Sequence, residues 1–374
     1  MRVIVIGGGV IGASVAYRLT RARVEVMLLE AGRFAGGTSA ATFAWLNSND
    51  KTPLEYHQLN AAGMEEYARL RQEFEPAPWL HIDGNIEWAG DASGEAALRA
   101  KLARLRGWGY PAESLPIAAL RDLEPELVAP ESVTEFVFYP SEGYVDVPVM
   151  VGVLLKAAAD AGAQIVARCR VTEMIWDRGR VRGVATANGD RFYADLVACC
   201  AGPWTDEVAA LAGLRLPLAP TVGLLAISHP SPVAFRRILH THAVNLRPDG
   251  AGRIMMRAGE FDRAVRPDTP VVPLPVVCGQ ILDRAVCALP RLAGTTLEAA
   301  RIGVRPIPAD GYPLVGAPPR PGGVYVVCTH SGVTLGPLLG RLVAEEVTSG
   351  AIDPRLRPFR TARLAGSGGA SEPP

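Results

Sequence analysis

The chain has 374 residues, and its 38 basic and 38 acidic side chains cancel to a formal charge of zero. That length is more than one core of ordinary size holds, so two intimately joined domains are expected. The balanced, unblocked charge argues against nucleic acid or an anionic membrane as partner, and no apolar run is long enough for a membrane span.

Val3-Ile4-Val5-Ile6 reads as a buried strand and leads into Gly7-Gly8-Gly9-Val10-Ile11-Gly12, the start of a helix. A second strand, Val26-Met27-Leu28-Leu29, ends in Glu30. This is the dinucleotide-binding fingerprint. Gly7 permits the tight turn, Gly9 admits a pyrophosphate close to the backbone, and Gly12 allows close helix packing. The helix start offers free N–H groups and a positive dipole end to phosphates, and Glu30 can accept hydrogen bonds from an adenosine ribose. The apolar N-terminus is read as a strand with glycines directly behind it, not as a signal peptide. After Glu30, residues 31–41 are mostly small, with Thr38 and Ser39 among them. Such a run lets backbone and hydroxyls lie along an extended ligand and favours FAD over the regular βα units of an NAD dehydrogenase.

Helical spacing covers residues 52–74 and 95–107, and a short strand pair is expected around Asp83-Gly84 within 79–88. Residues 133–139 read as a strand. Residues 147–161 read as a helix, with Pro148 near its start and Gly162 at its end. Strands follow at 164–171, 181–186 and 196–200, separated by turns at Arg178-Gly179 and Asn188-Gly189-Asp190. From 216 to 301 the chain is expected to form proline-rich strands and irregular connections. A buried strand over 323–328 then leads through Thr329-His330-Ser331-Gly332-Val333-Thr334-Leu335 into a helix to 347. The six cysteines show no CxxC spacing and read as reduced core thiols of a cytoplasmic protein, with no metal site. Residues 365–374 read as a disordered tail.

Three separated nucleotide-type blocks with two β-rich insertions give an α/β fold. It is expected to contain an FAD-binding Rossmann-like (doubly wound) domain from 1–80, 145–215 and 302–364. An interleaved β-sheet-rich α+β substrate domain takes 81–144 and 216–301. Cys200-Ala201-Gly202-Pro203-Trp204, between a strand and a helix, resembles the second glycine element of two-dinucleotide-domain flavoproteins. Arg305-Pro306 through Asp310-Gly311-Tyr312-Pro313 to Gly316 resembles the RP-x-x-x-DG-x-P-x-x-G stretch of the D-amino-acid oxidase superfamily. Within it the chain is most similar to the glycine oxidase and sarcosine oxidase group.

That resemblance implies an FAD enzyme in which Gly7, Gly9, Gly12 and Glu30 bind the ADP half. Thr38 and Ser39 would follow the pyrophosphate and ribityl chain, Val171 would meet the adenine, and Gly202 and Trp204 would lie near the cofactor. Ser331, Gly332, Val333 and Thr334 would lie at the pyrimidine end of the flavin. It assigns Arg305 to the substrate carboxylate, the alternative being a structural ion pair with a residue such as Asp310. His242 is placed near the substrate amine or, equally, on the surface. Arg257 falls where sarcosine-oxidising members carry a lysine that assists oxygen reduction. Trp45 is either a cover over the substrate region or a core residue. No cysteine precedes the DG turn at Arg301, Ile302 or Gly303, so FAD is expected to be non-covalent. The implied reaction is hydride transfer from the α-carbon of an amino acid or N-substituted amino acid to flavin N5, giving an imine that hydrolyses. The electron acceptor is dioxygen or, alternatively, a quinone or carrier protein. An NAD-dependent dehydrogenase and a non-catalytic flavin module are the other readings.

Overall fold

The computed structural model describes residues 1–364, so the expectation for 365–374 lies outside the described residues. A six-stranded sheet is built from β1 (Arg2–Ile6), β2 (Glu25–Leu29), Gln164–Val166, Leu196–Cys199, Leu314–Gly316 and Val324–Cys328. Its spatial order runs Leu314–Gly316, Val324–Cys328, Leu196–Cys199, β1, β2, Gln164–Val166. All neighbours are parallel except the edge strand Leu314–Gly316. Parallel strands covered on both faces read as continuous apolar runs, and Val3, Ile4 and Val5 have no exposed surface.

The helix α1 (Val10–Arg21) crosses the C-terminal helix Gly332–Ser349 at backbone distance. A Cβ on Gly340 would stand 2.6 Å from the Ser14 carbonyl oxygen. Pro337 lies inside that last helix and leaves the Val333 carbonyl without its i+4 donor. The Tyr67 hydroxyl supplies the missing hydrogen bond at 2.6 Å.

The second large sheet has eight strands, in the order Leu297–Arg305, Thr221–Ser228, Ile254–Arg257, Asn245–Pro248, Ile238–His240, Asn85–Glu87, Glu135–Tyr139, Glu113–Pro116. Its pairs are antiparallel apart from Ile238–His240 on Asn85–Glu87. One core cluster joins Leu224, Ala226 and Met256 of this sheet to Cys278, Ile281 and Ala285 of the helix Val276–Ala288.

The structure corrects four local expectations. Residues 276–288 form a helix inside the stretch read as strands and irregular chain. Leu80–His81 and Asn85–Glu87 do not pair with each other: the first joins Gly143–Val145 and the second the eight-stranded sheet. The expected strand 164–171 is broken, with Gln164–Val166 in the parallel sheet and Val171–Asp177 starting a separate three-stranded sheet. Cys287 is exposed, while the other five cysteines are buried, and all six are free. No helix among the described residues is long and apolar enough to cross a membrane.

Candidate active site

The parallel sheet dictates where a ligand can sit. Gly7, Glu30, Cys200 and Thr329 each directly follow the C-terminal end of a parallel strand, the edge at which open α/β sheets bind ligands. All four line a cavity of about 580 Å³. Of the residues expected at the cofactor, Gly7, Gly9, Glu30, Thr38, Ser39, Val171, Gly202, Trp204, Gly332 and Val333 also line it. Gly12 does not. It lies beneath the turn, where a Cβ would stand 1.9 Å from the Gly7 carbonyl oxygen. Gly7 itself has φ +109°, and a Cβ there would meet the Cys200 carbonyl oxygen at 2.4 Å. The turn is therefore held by backbone contact on two sides.

Glu30 has a role that its position alone did not reveal. Its Oε2 accepts the Gly8 N–H and its Oε1 the Gly32 N–H, both at 2.7 Å. The carboxylate is thus clamped at the cavity rim, and each oxygen keeps a lone pair for a hydroxyl. Ser39 Oγ accepts the Val10 N–H at 3.0 Å and so ties the small-residue loop to the start of α1. Bare backbone at a helix start, a fixed acid at the second strand and a long lined cavity fit FAD in an extended conformation.

A second cavity, of about 410 Å³, adjoins the first. Thr38, Thr42, Pro306, His330 and Val333 line both, and the last helix begins at this junction with Gly332. Ser331 and Thr334 face the second cavity. Ser331 Oγ lies 2.7 Å from the Tyr56 hydroxyl, and Thr334 Oγ1 donates to the Trp45 carbonyl at 3.4 Å.

Arg305 and Arg257 both line this second cavity, and Asp262 holds the two together. Its Oδ2 accepts from Arg305 Nη2 at 2.7 Å and from Arg257 Nη2 at 2.9 Å. Its Oδ1 accepts the Leu224 N–H at 2.9 Å. These contacts keep the Asp262 carboxyl below its usual range, against the opposing effect of burial. Arg305 Nη1 also donates to the Val222 carbonyl (2.9 Å) and to Thr221 Oγ1 (3.1 Å). A guanidinium has five N–H donors, so Nε–H and one hydrogen of Nη2 have no partner among the described residues and can serve a ligand. Asp310, the structural partner considered above, is instead bound by Arg363 at 2.6 Å. Two cations sharing one anion leave a net charge of +1.

The same sheet face runs on from Arg257 through its cross-strand neighbour Asn245 to His240. Trp45 and His240 both line the cavity, with ring centroids 3.9 Å apart. His240 Nδ1 lies 2.8 Å from Asn85 Oδ1. Burial, opposed only by the charge of Asp50, depresses the His240 imidazole to about 3. Behind both rings sits Glu142, with no exposed surface. Its Oε2 accepts from Trp45 Nε1 (2.9 Å), Asn49 Nδ2 (3.1 Å) and Asn85 Nδ2 (3.1 Å). Tyr110 Oη lies 2.7 Å from Oε1. Desolvation raises the Glu142 carboxyl to about 8. Lys51 also faces the cavity. Burial lowers its ammonium below the usual range, and its neighbour Asp50 is ion-paired to Lys101 at 2.5 Å. At the junction, His330 is depressed to about 4 by desolvation and then by Lys51, Arg305 and Arg257.

His242, placed near the amine by the sequence, lines neither cavity. It is exposed, and its ring lies over Gly90, where a Cβ would stand 2.3 Å away. Thr241 Oγ1 donates to the Val244 carbonyl at 2.6 Å. That bond closes a turn that swings His242 out, while His240, at the end of its strand, remains inside. Trp45 is part of the cavity wall rather than the core. Asp50, Lys51, Glu142 and Asp262 escaped the sequence reading. His240 was part of the segment His240-Thr241-His242 that the sequence singled out, but His242 was the one placed near the amine.

Residues 2–346 match the protein family described as DAO, FAD dependent oxidoreductase. The chain belongs to that family. As a DAO-family protein it is an FAD-dependent oxidoreductase, and FAD is its cofactor. It is 28% identical to the glycine oxidase of Geobacillus kaustophilus (strain HTA426) over 98% of each chain. It is 27% identical to the glycine oxidase of Pseudomonas putida, over 94% of this chain and 96% of that one. The crystal structure of glycine oxidase from Geobacillus kaustophilus superposes with a TM-score of 0.85 at 26% identity, covering 98% of this chain and 100% of the other.

Proposed function

We propose that this DAO-family protein oxidises the C–N bond of a small amino acid or N-substituted amino acid. The observation that carries this reading is Arg305. It keeps two N–H donors and a share of net positive charge on the wall of a cavity that adjoins the FAD site. A guanidinium edge matches a carboxylate in two parallel hydrogen bonds and does not lose its charge. Bound FAD supplies the acceptor for the hydride that leaves the α-carbon. The protein supplies the rest. Arg305 holds the carboxylate, with Arg257 adding charge through Asp262. Trp45 and His240 add two rings to the cavity lining beyond Asn245. The N-terminus of the helix Gly332–Ser349 directs its positive dipole end to the junction, where negative charge develops. His330 is neutral there at working pH. The product imine hydrolyses in water. The relatives named glycine oxidase support this substrate class, and the five buried free thiols support a cytoplasmic setting.

Arg257 is tied to Asp262 and is a poor proton donor. That favours a second reading of the acceptor, in which a quinone or carrier protein replaces dioxygen. One experiment tests both levels. Purified protein should release intact FAD on acid denaturation, and a panel of amino and N-methylamino acids, mixed anaerobically, should bleach the flavin. Readmitted air should restore the colour with one peroxide per substrate oxidised if dioxygen is the acceptor. Colour that returns slowly and without peroxide selects the second reading. No bleaching by any amino acid removes the substrate assignment.

A further inference from the structure

We infer that His240 binds the substrate amine through Nε2 as a hydrogen-bond acceptor, and that Asn85 and Glu142 are positioning residues that fix its tautomer. The inference rests on the amino-acid reading above and adds the residue that recognises the nitrogen. Its logic is a chain of donors and acceptors. Glu142 Oε2 receives three N–H donors, from Trp45, Asn49 and Asn85. An oxygen so occupied accepts only, whether the carboxyl is ionised or carries a proton on Oε1 beside Tyr110. The Asn85 amide must therefore turn its NH2 toward Glu142 and its oxygen toward His240. An amide oxygen has no proton to give, so the hydrogen in the 2.8 Å contact belongs to His240 Nδ1. A neutral imidazole with a proton on Nδ1 has a lone pair on Nε2.

The environment keeps that state. Desolvation and the charges of Lys101 and Arg257 oppose a second proton, and only Asp50 favours one. Nε2 has no hydrogen-bond partner among the described residues, and His240, part-exposed as a residue, lines the substrate cavity. Trp45 packs against one face at a tilt of 34°, and Phe43 approaches edge-on at 5.9 Å. The ring therefore cannot turn without losing the Asn85 bond. Arg305, Arg257 and His240 lie along one face of the eight-stranded sheet, where Asn245 pairs with both Arg257 and His240. The arginine end of that face is cationic and donates, whereas the His240 end is neutral and accepts. A carboxylate is matched by the first end and an N–H by the second, which orients an amino acid and disfavours its inverted pose. His240 takes no proton in this scheme. It selects the pose.

The test uses the FAD-loaded protein and two ligands. One is an amino acid that bleaches the wild-type flavin anaerobically. The other is the carboxylic acid in which a CH2 replaces its nitrogen, titrated by the shift in flavin absorbance. In His240→Leu, the amino-acid concentration for half-maximal reduction should rise about tenfold, the loss of one hydrogen bond. The limiting rate should change less, and the affinity for the amine-free acid should stay within about twofold. Asn85→Leu and Glu142→Leu should show the same selective loss. Glu142→Gln, which still offers one oxygen to the three donors, should keep the wild-type preference. Should a leucine variant at either buried position fail to retain FAD, His240→Leu and Glu142→Gln decide. Equal losses for both ligands, or no loss in His240→Leu, overturn the inference while leaving the amino-acid reading in place. A wild-type flavin that no amino acid bleaches overturns both.

Discussion

On the function proposed above, Arg305 holds the substrate carboxylate, so removing it tests the substrate class. In Arg305→Met the cavity loses a cation that donates to Asp262, the Val222 carbonyl and Thr221. The cluster of Arg257, Arg305 and Asp262 then falls from a net charge of +1 to zero, since Asp262 still neutralises Arg257 at 2.9 Å. A carboxylate entering this wall meets no net charge and loses its paired donors. Truncating one member of a buried charge pair costs about 2–5 kcal/mol. The Arg305 side chain is 22% exposed, which places the loss near the lower end, about 30- to 150-fold in affinity. Arg305→Lys should recover part of this, because an ammonium keeps the charge without the planar edge. The assay compares anaerobic flavin reduction by an amino acid with reduction by the amine that lacks its carboxylate. The substitution should impair the first far more than the second, at unchanged FAD content. Equal impairment would mean that the ion pair with Asp262 is the whole role of Arg305, and would refute the carboxylate assignment.

Glu30→Ala should lower FAD affinity at least tenfold, because charge-assisted bonds worth roughly 1.5–3 kcal/mol each are lost; unchanged occupancy at limiting FAD contradicts this. Gly12→Ala places a methyl 1.9 Å from the Gly7 carbonyl oxygen, so the turn must shift. The protein should purify with little flavin and be destabilised by roughly 1–3 kcal/mol, whereas a yellow, equally stable variant would show that the turn tolerates a Cβ. Glu142 gives a pH signature. Its folded carboxyl sits at about 8 against 4.5 for the free group, so between these values the folded state keeps a proton that the unfolded chain has released. Stability should therefore fall as pH rises through this window, by up to about 1.4 kcal/mol per unit, and level off above it. Glu142→Gln should lack that slope in denaturant titrations, and a wild type that gains stability relative to it with rising pH would show an ionised Glu142.

The start of the nucleotide site was legible because its determinants are local. β1, the glycine turn, α1 and Glu30 lie within thirty residues, and Gly12 and Gly7 answer contacts inside that unit and with the adjacent strand end. The substrate side was less legible because its partners are far apart in the chain. Asp262 meets Arg305 across 43 residues, and Glu142 gathers Trp45, Asn49, Asn85 and Tyr110 from three separate segments. No spacing rule reports such pairs. The choice between His240 and His242 turned on one hydroxyl, that of Thr241, which closes a turn between them. The helix Val276–Ala288 was hidden by the prolines that precede it, although Cys278, Ile281, Ala285 and Ala288 supply its buried face. Leu80–His81 and Asn85–Glu87 looked like a hairpin because Asp83-Gly84 is a turn signal. There the chain passes from one sheet to another, with Gly84 at φ +99°.

The placement of Arg305 relative to the cavity that fits FAD follows from a single strand. Leu297–Arg305 is the edge of the eight-stranded sheet, yet its last residues touch the loop that lines the FAD cavity. Thr38 Oγ1 donates to the Val304 carbonyl at 2.5 Å, and a Cβ on Gly303 would stand 2.2 Å from the Ala41 carbonyl oxygen. That contact is possible only without a side chain at 303. On the neighbouring strand Gly223 pairs with Gly303, and a Cβ at Gly223 would stand 2.5 Å from Arg305 Nη2. One bare position thus brings the strand against the cofactor loop, and the other lets the guanidinium lie along the sheet toward Asp262. Since a strand is stiff along its length, the distance from the Thr38–Ala41 loop to Arg305 is set by backbone rather than by flexible side chains. On the proposed function, that fixed spacing serves near-attack chemistry, in which a carboxylate held at Arg305 leaves the α-carbon to stand about 3–3.5 Å from its acceptor.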